Sequence, residues 1–187
     1  MKKGKITILL SIIMILILAI TGCSSNEGEI NTGGQEIQED LDDEAIIIEH
    51  RLGETEVEKN PKNIIVFDYA TLDTLDKMGI EIKGLPKSNI PTFLEQFNDN
   101  KYEDVGTLFE PNFEKIFELE PDIIFVSGRQ AEVYDELAKI APTVYLEVDG
   151  ANYLDSVTKN LNIIGEIFGK EDFVEKELAQ LNKEIEG

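Results

Sequence analysis

This 187-residue chain is poor in cysteine, histidine and positive charge: one Cys, one His, and 17 basic residues against 38 acidic ones. A single thiol, Cys23, closes no disulfide within the chain and builds no multi-cysteine metal cage. A single imidazole, His50, supports neither a histidine-based nucleophile triad nor a multi-histidine metal site, and its place in a short apolar run reads as an edge-strand surface residue. No G-x-S-x-G, Walker-type or G-x-G-x-x-G loop follows any apolar run. The formal charge of -21 repels phosphate backbones and acidic headgroups, which excludes nucleic acid as a partner and leaves membrane attachment to an anchor. Paired carboxylates occur throughout so acidic a chain and distinguish nothing. No catalytic residue, metal ligand or cofactor is expected.

What is present begins at the N-terminus. Lys2, Lys3 and Lys5 precede an almost unbroken apolar run over 6–20, the layout of an export signal whose apolar part is too short to span a bilayer comfortably. Thr21-Gly22-Cys23 then resembles the bacterial lipobox, in which the cysteine is acylated and the peptide is cut just before it. Segment 1–22 is expected to be a lipoprotein signal peptide and Cys23 the lipidated first residue of the mature chain. The alternative is an uncleaved signal anchor with an incidental cysteine. Two or more acyl chains anchor a protein stably, whereas one does so only marginally.

Residues 23–44 are rich in Ser, Asn, Gly, Gln, Asp and Glu and hold too little apolar surface to fold, so they read as an acidic tether kept extended by like charges. About 140 residues remain, enough for one ordinary domain. Segments 45–51 and 55–57 flank Leu52-Gly53-Glu54 as a small hairpin. Continuous apolar runs at 64–67 and 123–126 suit strands buried on both faces, and 80–85 and 143–146 read as further strands. Between them lie helices: one through Leu72, Leu75 and Met78 that stops at Gly79; a short one from Pro91 with Phe93, Leu94 and Phe97; and one with Pro111 in its first turn, Phe113, Ile116 and Phe117 facing inward, ended by Pro121. A fourth runs through Val133, Leu137 and Ile140, and a longer one carries Leu154, Val157, Leu161, Ile164 and Phe168 on one side. Over 171–186, Val174, Leu178, Leu181 and Ile185 form a single narrow stripe. The fold class is α/β: a Rossmann-like lobe over 45–169 with a mainly parallel sheet covered on both faces, followed by a helix over 170–187.

In such a sheet, ligands bind beyond the carboxyl ends of the strands. Here those ends carry Asp68-Tyr69, Gly84-Leu85-Pro86-Lys87 and Ser127-Gly128-Arg129. Two cations at strand ends suit an anionic ligand, Arg129 as a planar fork and Lys87 as a point charge. Simpler roles stand beside these: Arg129 could pair with a neighbouring acid and Lys87 could be a solvated loop lysine. Asp68 reads as a helix cap, and Tyr69 either packs or lines the cleft.

Asn63-Ile-Ile-Val-Phe-Asp-Tyr69, Gly84-Leu-Pro-Lys87, Val105-Gly106, Glu110-Pro-Asn-Phe-Glu-Lys-Ile116 and Glu120-Pro-Asp-Ile-Ile-Phe-Val-Ser-Gly-Arg129 together resemble the N-terminal lobe of iron-siderophore-binding lipoproteins of ABC importers, close to the catecholate and petrobactin receptors of Gram-positive bacteria. The resemblance runs from the hairpin to the last helix and is most specific over 110–129. It implies two α/β lobes joined by a long backbone helix, with a ferric chelate between them. It implies that Arg129 grips the anionic complex with help from Lys87, beside which Tyr69 is the ligand-binding candidate by its strand-end position alone, and that Glu114 docks on an arginine pocket of the permease. The plainer reading of Glu114 is a first-turn glutamate favoured by the helix dipole.

The sequence stops inside what resembles the backbone helix, so the second lobe is expected to be absent, and with it the further cleft residues that family members draw from that lobe. The resemblance therefore implies a partial, monomeric, non-catalytic solute-binding component for ferric siderophore, tethered on the extracytoplasmic face of a membrane, a Gram-positive surface before a Gram-negative periplasm. Receptors of this architecture for vitamin B12 or haem are the alternative within the binding class. A metal-handling enzyme of related fold, or a truncated remnant or decoy, lies outside it.

Overall fold

In the computed structural model, residues 45–186 are described. The expected signal peptide, Cys23 and the acidic tether lie outside them.

Among the described residues, seven strands and five α-helices form the domain. The hairpin is β1 (Ala45–His50) and β2 (Gly53–Glu58), antiparallel with His50 opposite Gly53, as expected from the turn residues between them. The main sheet comprises β3 (Ile64–Val66), β4 (Gly84–Leu85), β5 (Glu103–Asp104), β6 (Ile123–Val126) and β7 (Thr143–Tyr145), all parallel, in the spatial order β5-β4-β3-β6-β7. The helices are α1 (Tyr69–Lys77), α2 (Phe113–Glu118), α3 (Tyr134–Leu137), α4 (Tyr153–Phe168) and α5 (Glu171–Glu186), with 3-10 turns at Thr92–Asn98 and Gly128–Val133.

The unbroken apolar runs are explained by burial on both faces. Successive side chains of a strand point to opposite sides. Ile64, Val66, Ile123, Phe125, Val144 and Leu146 enter one core with Leu72 and Leu75 of α1 and Ile163, Ile164 and Ile167 of α4. Ile65, Phe67, Ile124, Val126 and Tyr145 enter the other with Ile116 of α2 and Leu137 of α3. Each such fully buried side chain contributes about 1.5–3 kcal/mol relative to exposure.

Strand order fixes a single reversal. From β3 the chain crosses through α1 to β4 on one side; from β6 it crosses through α3 to β7 on the other. Right-handed crossovers in opposite directions must use opposite faces of the sheet, which is why α1 and α3 belong to different cores. The reversal lies between β3 and β6, paired through Ile65 and Ile124. A crevice opens outside the carboxyl ends of two strands that part company in this way.

Several local expectations are corrected. The strand expected over 80–85 pairs only at Gly84 and Leu85, because Ile80 is still bound to the end of α1 through its N–H on the Leu75 carbonyl (2.9 Å). Pro111 stands ahead of the Asn112 N-cap rather than in the first turn of α2. Phe117 points outward, 70% exposed, since a six-residue helix turns only Phe113 and Ile116 toward the sheet. Phe93 and Leu154 are also exposed. The helix expected through Val133 and Ile140 is a 3-10 turn followed by the single turn of α3.

The α4–α5 joint is tight. Gly169 takes the left-handed conformation (φ 58°) that closes α4, and a Cβ at Gly165 would sit 2.9 Å from Val174 Cγ2. Val174 is buried there, Leu178 and Leu181 are half-buried, and Ile185 is exposed, so the stripe on α5 is only partly covered.

Candidate functional site

Strand-end loops from β3, β4, β5 and β6 meet at the reversal point and are tied by polar side chains. Asp68 has extended backbone and caps α1: its Oδ2 accepts from the Thr71 N–H (2.8 Å) and hydroxyl (2.9 Å), while Oδ1 accepts a longer bond from Ser127 Oγ (3.4 Å). The cap reading of Asp68 is borne out.

Tyr69 opens α1 and is half-buried. Its hydroxyl proton is shared between the carbonyls of Pro86 (3.0 Å) and Ser88 (3.1 Å), which stitches the β3 end to the loop after β4. Burial raises the phenol above its ordinary value, Asp104 adds to the rise, and the nearby Arg129 charge opposes it. Tyr69 therefore stays neutral and can offer lone pairs, but not its proton, without opening the loop.

Lys87 is neither freely solvated nor bound to an acid. Its ammonium donates to the Asp99 carbonyl (2.7 Å) and, at longer range, to that of Asn98 (3.5 Å), at the carbonyl end of the Thr92–Asn98 turn. Its backbone N–H meets Asp104 Oδ1 at 3.3 Å. A cation at that end is favoured by the exposed carbonyls, and an ammonium's third donor is left for another acceptor.

Arg129 is exposed, in the first turn after β6, and among the described residues it joins no ion pair. Its guanidinium carbon lies 5.8 Å from the ring centroid of Phe109. Phe109 fits no helical or strand period in the sequence, and it is 73% exposed. The loop bearing it is rigidly built. Gly106 (φ 106°) bridges Pro111, and a Cβ there would fall 2.5 Å from the Glu110 carbonyl oxygen. Thr107 Oγ1 accepts from the N–H groups of Phe109 (3.2 Å) and Glu110 (2.9 Å). The buried Gln130 completes the frame: its Oε1 accepts from Ser127 N (3.2 Å) and its amide N–H donates to the Leu108 carbonyl.

Glu114 sits exposed in the first turn of α2, in no ion pair among the described residues, while its neighbour Lys115 pairs with Glu103 (2.9 Å). Arg129, Tyr69 and Lys87 thus share the strand-end rim, and Glu114 stands on α2 beyond the β5 loop.

His50 corrects its sequence reading. It is half-buried at the hairpin corner, its Nε2 2.9 Å from Thr55 Oγ1 and 3.3 Å from the Tyr134 hydroxyl, with Nδ1 facing the Leu52 N–H at 3.3 Å. Thr55 and Tyr134 both donate to the Thr143 carbonyl, so their oxygens are free to accept; Nε2 carries the proton and Nδ1 is bare. Burial holds this imidazole below its ordinary value. Among the described residues no group of three or more His, Cys, Asp or Glu could hold a metal ion, and no helix is long and apolar enough to cross a membrane.

Residues 64–187 match the Periplasmic binding protein family. The chain belongs to that family. It is 45% identical over 181 residues to the petrobactin-binding protein YclQ of Bacillus subtilis, covering 95% of this chain and 55% of the relative. It is 33% identical over 184 residues to a putative ABC transporter substrate-binding lipoprotein, YhfQ, of the same organism, covering 96% and 53%. The crystal structure of YclQ superposes with a TM-score of 0.74 at 50% identity over 75% of this chain and 50% of that one. The siderophore-binding protein BauB, bound to ferric iron and two molecules of acinetobactin, gives 0.73 at 32% identity over 76% and 52%. The family resemblance and the α/β fold read from the sequence are borne out. The chain spans about half the length of the curated relatives it matches.

Proposed function

We propose that this protein is a solute-binding component of an ABC importer for ferric siderophores, and that its strand-end rim captures the anionic chelate. The observation that carries the reading is Arg129: an exposed guanidinium at the reversal point that, in a chain of 38 acids, has no carboxylate partner among the described residues. A free planar fork in that crevice matches the charged oxygens of an iron chelate. Lys87 supplies a second positive charge, and Tyr69 holds the loop that presents it. No bond is broken; the ligand is held by charge and shape and passed to a permease, for which exposed Glu114 is the docking acid. Cys23 is the lipidation site, residues 1–22 the signal peptide, 23–44 the tether, 45–169 the binding lobe and 170–187 the inter-lobe helix. The protein works as a monomer held near its permease on the extracytoplasmic face of a membrane, on a Gram-positive surface. The relatives' names, which include a petrobactin-binding protein and a substrate-binding lipoprotein, support this reading.

The rim formed by the described residues covers a ligand from one side only, which leaves much of the chelate solvated. Titration of the 187-residue chain with a ferric catecholate, followed by quenching of tyrosine fluorescence, is expected to give micromolar or weaker binding. Sub-micromolar affinity contradicts one-sided capture, and binding of an uncharged chelate equal to that of the anionic one contradicts the charge-based reading.

A further inference from the structure

We propose that Phe109 is a ligand contact: its ring and the Arg129 guanidinium form one subsite for an aryl group bearing anionic oxygens. This rests on the chelate-binding reading above and adds to it a contact residue, Phe109, that would discriminate chelators built on aromatic rings from those without them. Phenylalanine gains nothing from facing water, and a ring 73% exposed on a loose tip would fold back when it could. This one is held out. Gly106, Thr107 and Pro111 fix the loop from within, and Gln130, only 1% exposed, spends both ends of its amide linking the Leu108 carbonyl to the Ser127 backbone. Leu108 precedes Phe109, and Ser127 begins the turn that carries Arg129. One buried side chain therefore sets the spacing between ring and guanidinium.

The pair has complementary uses. A guanidinium beside the ring, 5.8 Å from its centroid, keeps its donors for charged oxygens, while the ring offers its remaining surface for offset or edge-on stacking. A catecholate presents both partners at once, a π-face and two deprotonated oxygens on adjacent carbons. A citrate complex has the oxygens and no ring, so it meets Arg129 alone. The other strongly exposed phenylalanines, Phe93 and Phe117, have no cation over their rings among the described residues and stand on the Thr92–Asn98 turn and α2.

The test uses diamagnetic gallium(III) in place of iron. The full chain, solubilised in a zwitterionic detergent, is titrated with gallium(III) tris-catecholate and with gallium(III) citrate while backbone amide resonances and ligand protons are observed by NMR. The catecholate is expected to perturb amides of 107–110 and 127–130 together, with its ring protons shifted upfield by the Phe109 ring current. Phe109→Leu should abolish the upfield shift and weaken catecholate binding by about two- to tenfold while leaving citrate unchanged, and Phe109→Tyr should restore it. Both complexes perturbing 127–130 with no dependence on Phe109, or Phe109→Leu weakening both equally, would overturn the aryl subsite and leave chelate binding standing. Neither complex perturbing 127–130 would overturn chelate binding and the subsite with it.

Discussion

The chain has two arginines, and they live in opposite circumstances. Arg51, at the hairpin corner, pairs with Glu147 (2.8 Å) and donates to the Tyr145 hydroxyl (2.9 Å), fastening the hairpin to β7 beside the closed His50, Thr55 and Tyr134 network. Arg129, at the reversal point, is exposed and rests on an aromatic ring, in no ion pair among the described residues. In so acidic a protein a carboxylate partner is easy to supply. The corner uses its arginine to complete a structure; the rim leaves its arginine's donors available to something outside.

That contrast can be broken from either side. The largest effect on stability is expected from Gly106→Ala, which places a Cβ 2.5 Å from the Glu110 carbonyl oxygen at a φ of 106°. A cost of about 1–3 kcal/mol should appear in chemical denaturation, together with altered amide resonances around Phe109 and Arg129. An unchanged midpoint and unchanged rim would mean that the loop does not set the Phe109–Arg129 spacing.

A smaller effect is expected at the corner. His50 is held neutral: burial lowers its pKa first, the Thr143 backbone carbonyl opposes this, and the Lys159 charge adds to the lowering. A proton on Nδ1 would face the Leu52 N–H. The unfolded chain then binds the proton more readily than the folded one, so this contribution to stability is complete above the ordinary imidazole value of 6.5 and lost as pH falls below it. Between neutral pH and mildly acidic pH the wild type should lose more stability than His50→Gln, in thermal or urea denaturation. Equal losses would remove His50 from the account. The smallest effect is that of Arg51→Ala, about 0.2–1 kcal/mol, because the Arg51–Glu147 pair is largely exposed.

The parts legible in the sequence were those fixed locally. Segments 64–67 and 123–126 are apolar without interruption, and 143–146 after Thr143, because both faces of their sheet are covered; Asp68, Pro121 and Pro142 bound them. Arg129, Lys87 and Tyr69 could be placed at strand ends for the same reason. What could not be read depends on pairing at a distance. The spatial order of the strands, which puts the ends of β3 and β6 at the reversal, is a property of the sheet and not of any segment. The Lys87 ammonium finds carbonyls 11 and 12 residues away, and the Tyr69 hydroxyl finds others 17 and 19 away. Phe117 stands at a helical spacing that predicts an inward ring, and it faces out because the helix is only six residues long. Phe109 has no signature in the sequence because an exposed ring obeys no periodicity, and only its bracing by Gly106, Thr107 and Gln130 distinguishes it from a loop residue.

On the proposed reading, the rim arginine serves a ligand while the corner arginine serves the fold. Parallel titrations of wild type, Arg129→Ala and Arg51→Ala with a ferric catecholate at low ionic strength test it most directly. The account expects Arg129→Ala to weaken binding by about tenfold or more, in line with loss of a charge-assisted bidentate contact, with Arg51→Ala staying close to wild type. Equal affinities for all three, or the larger loss at Arg51, would contradict it.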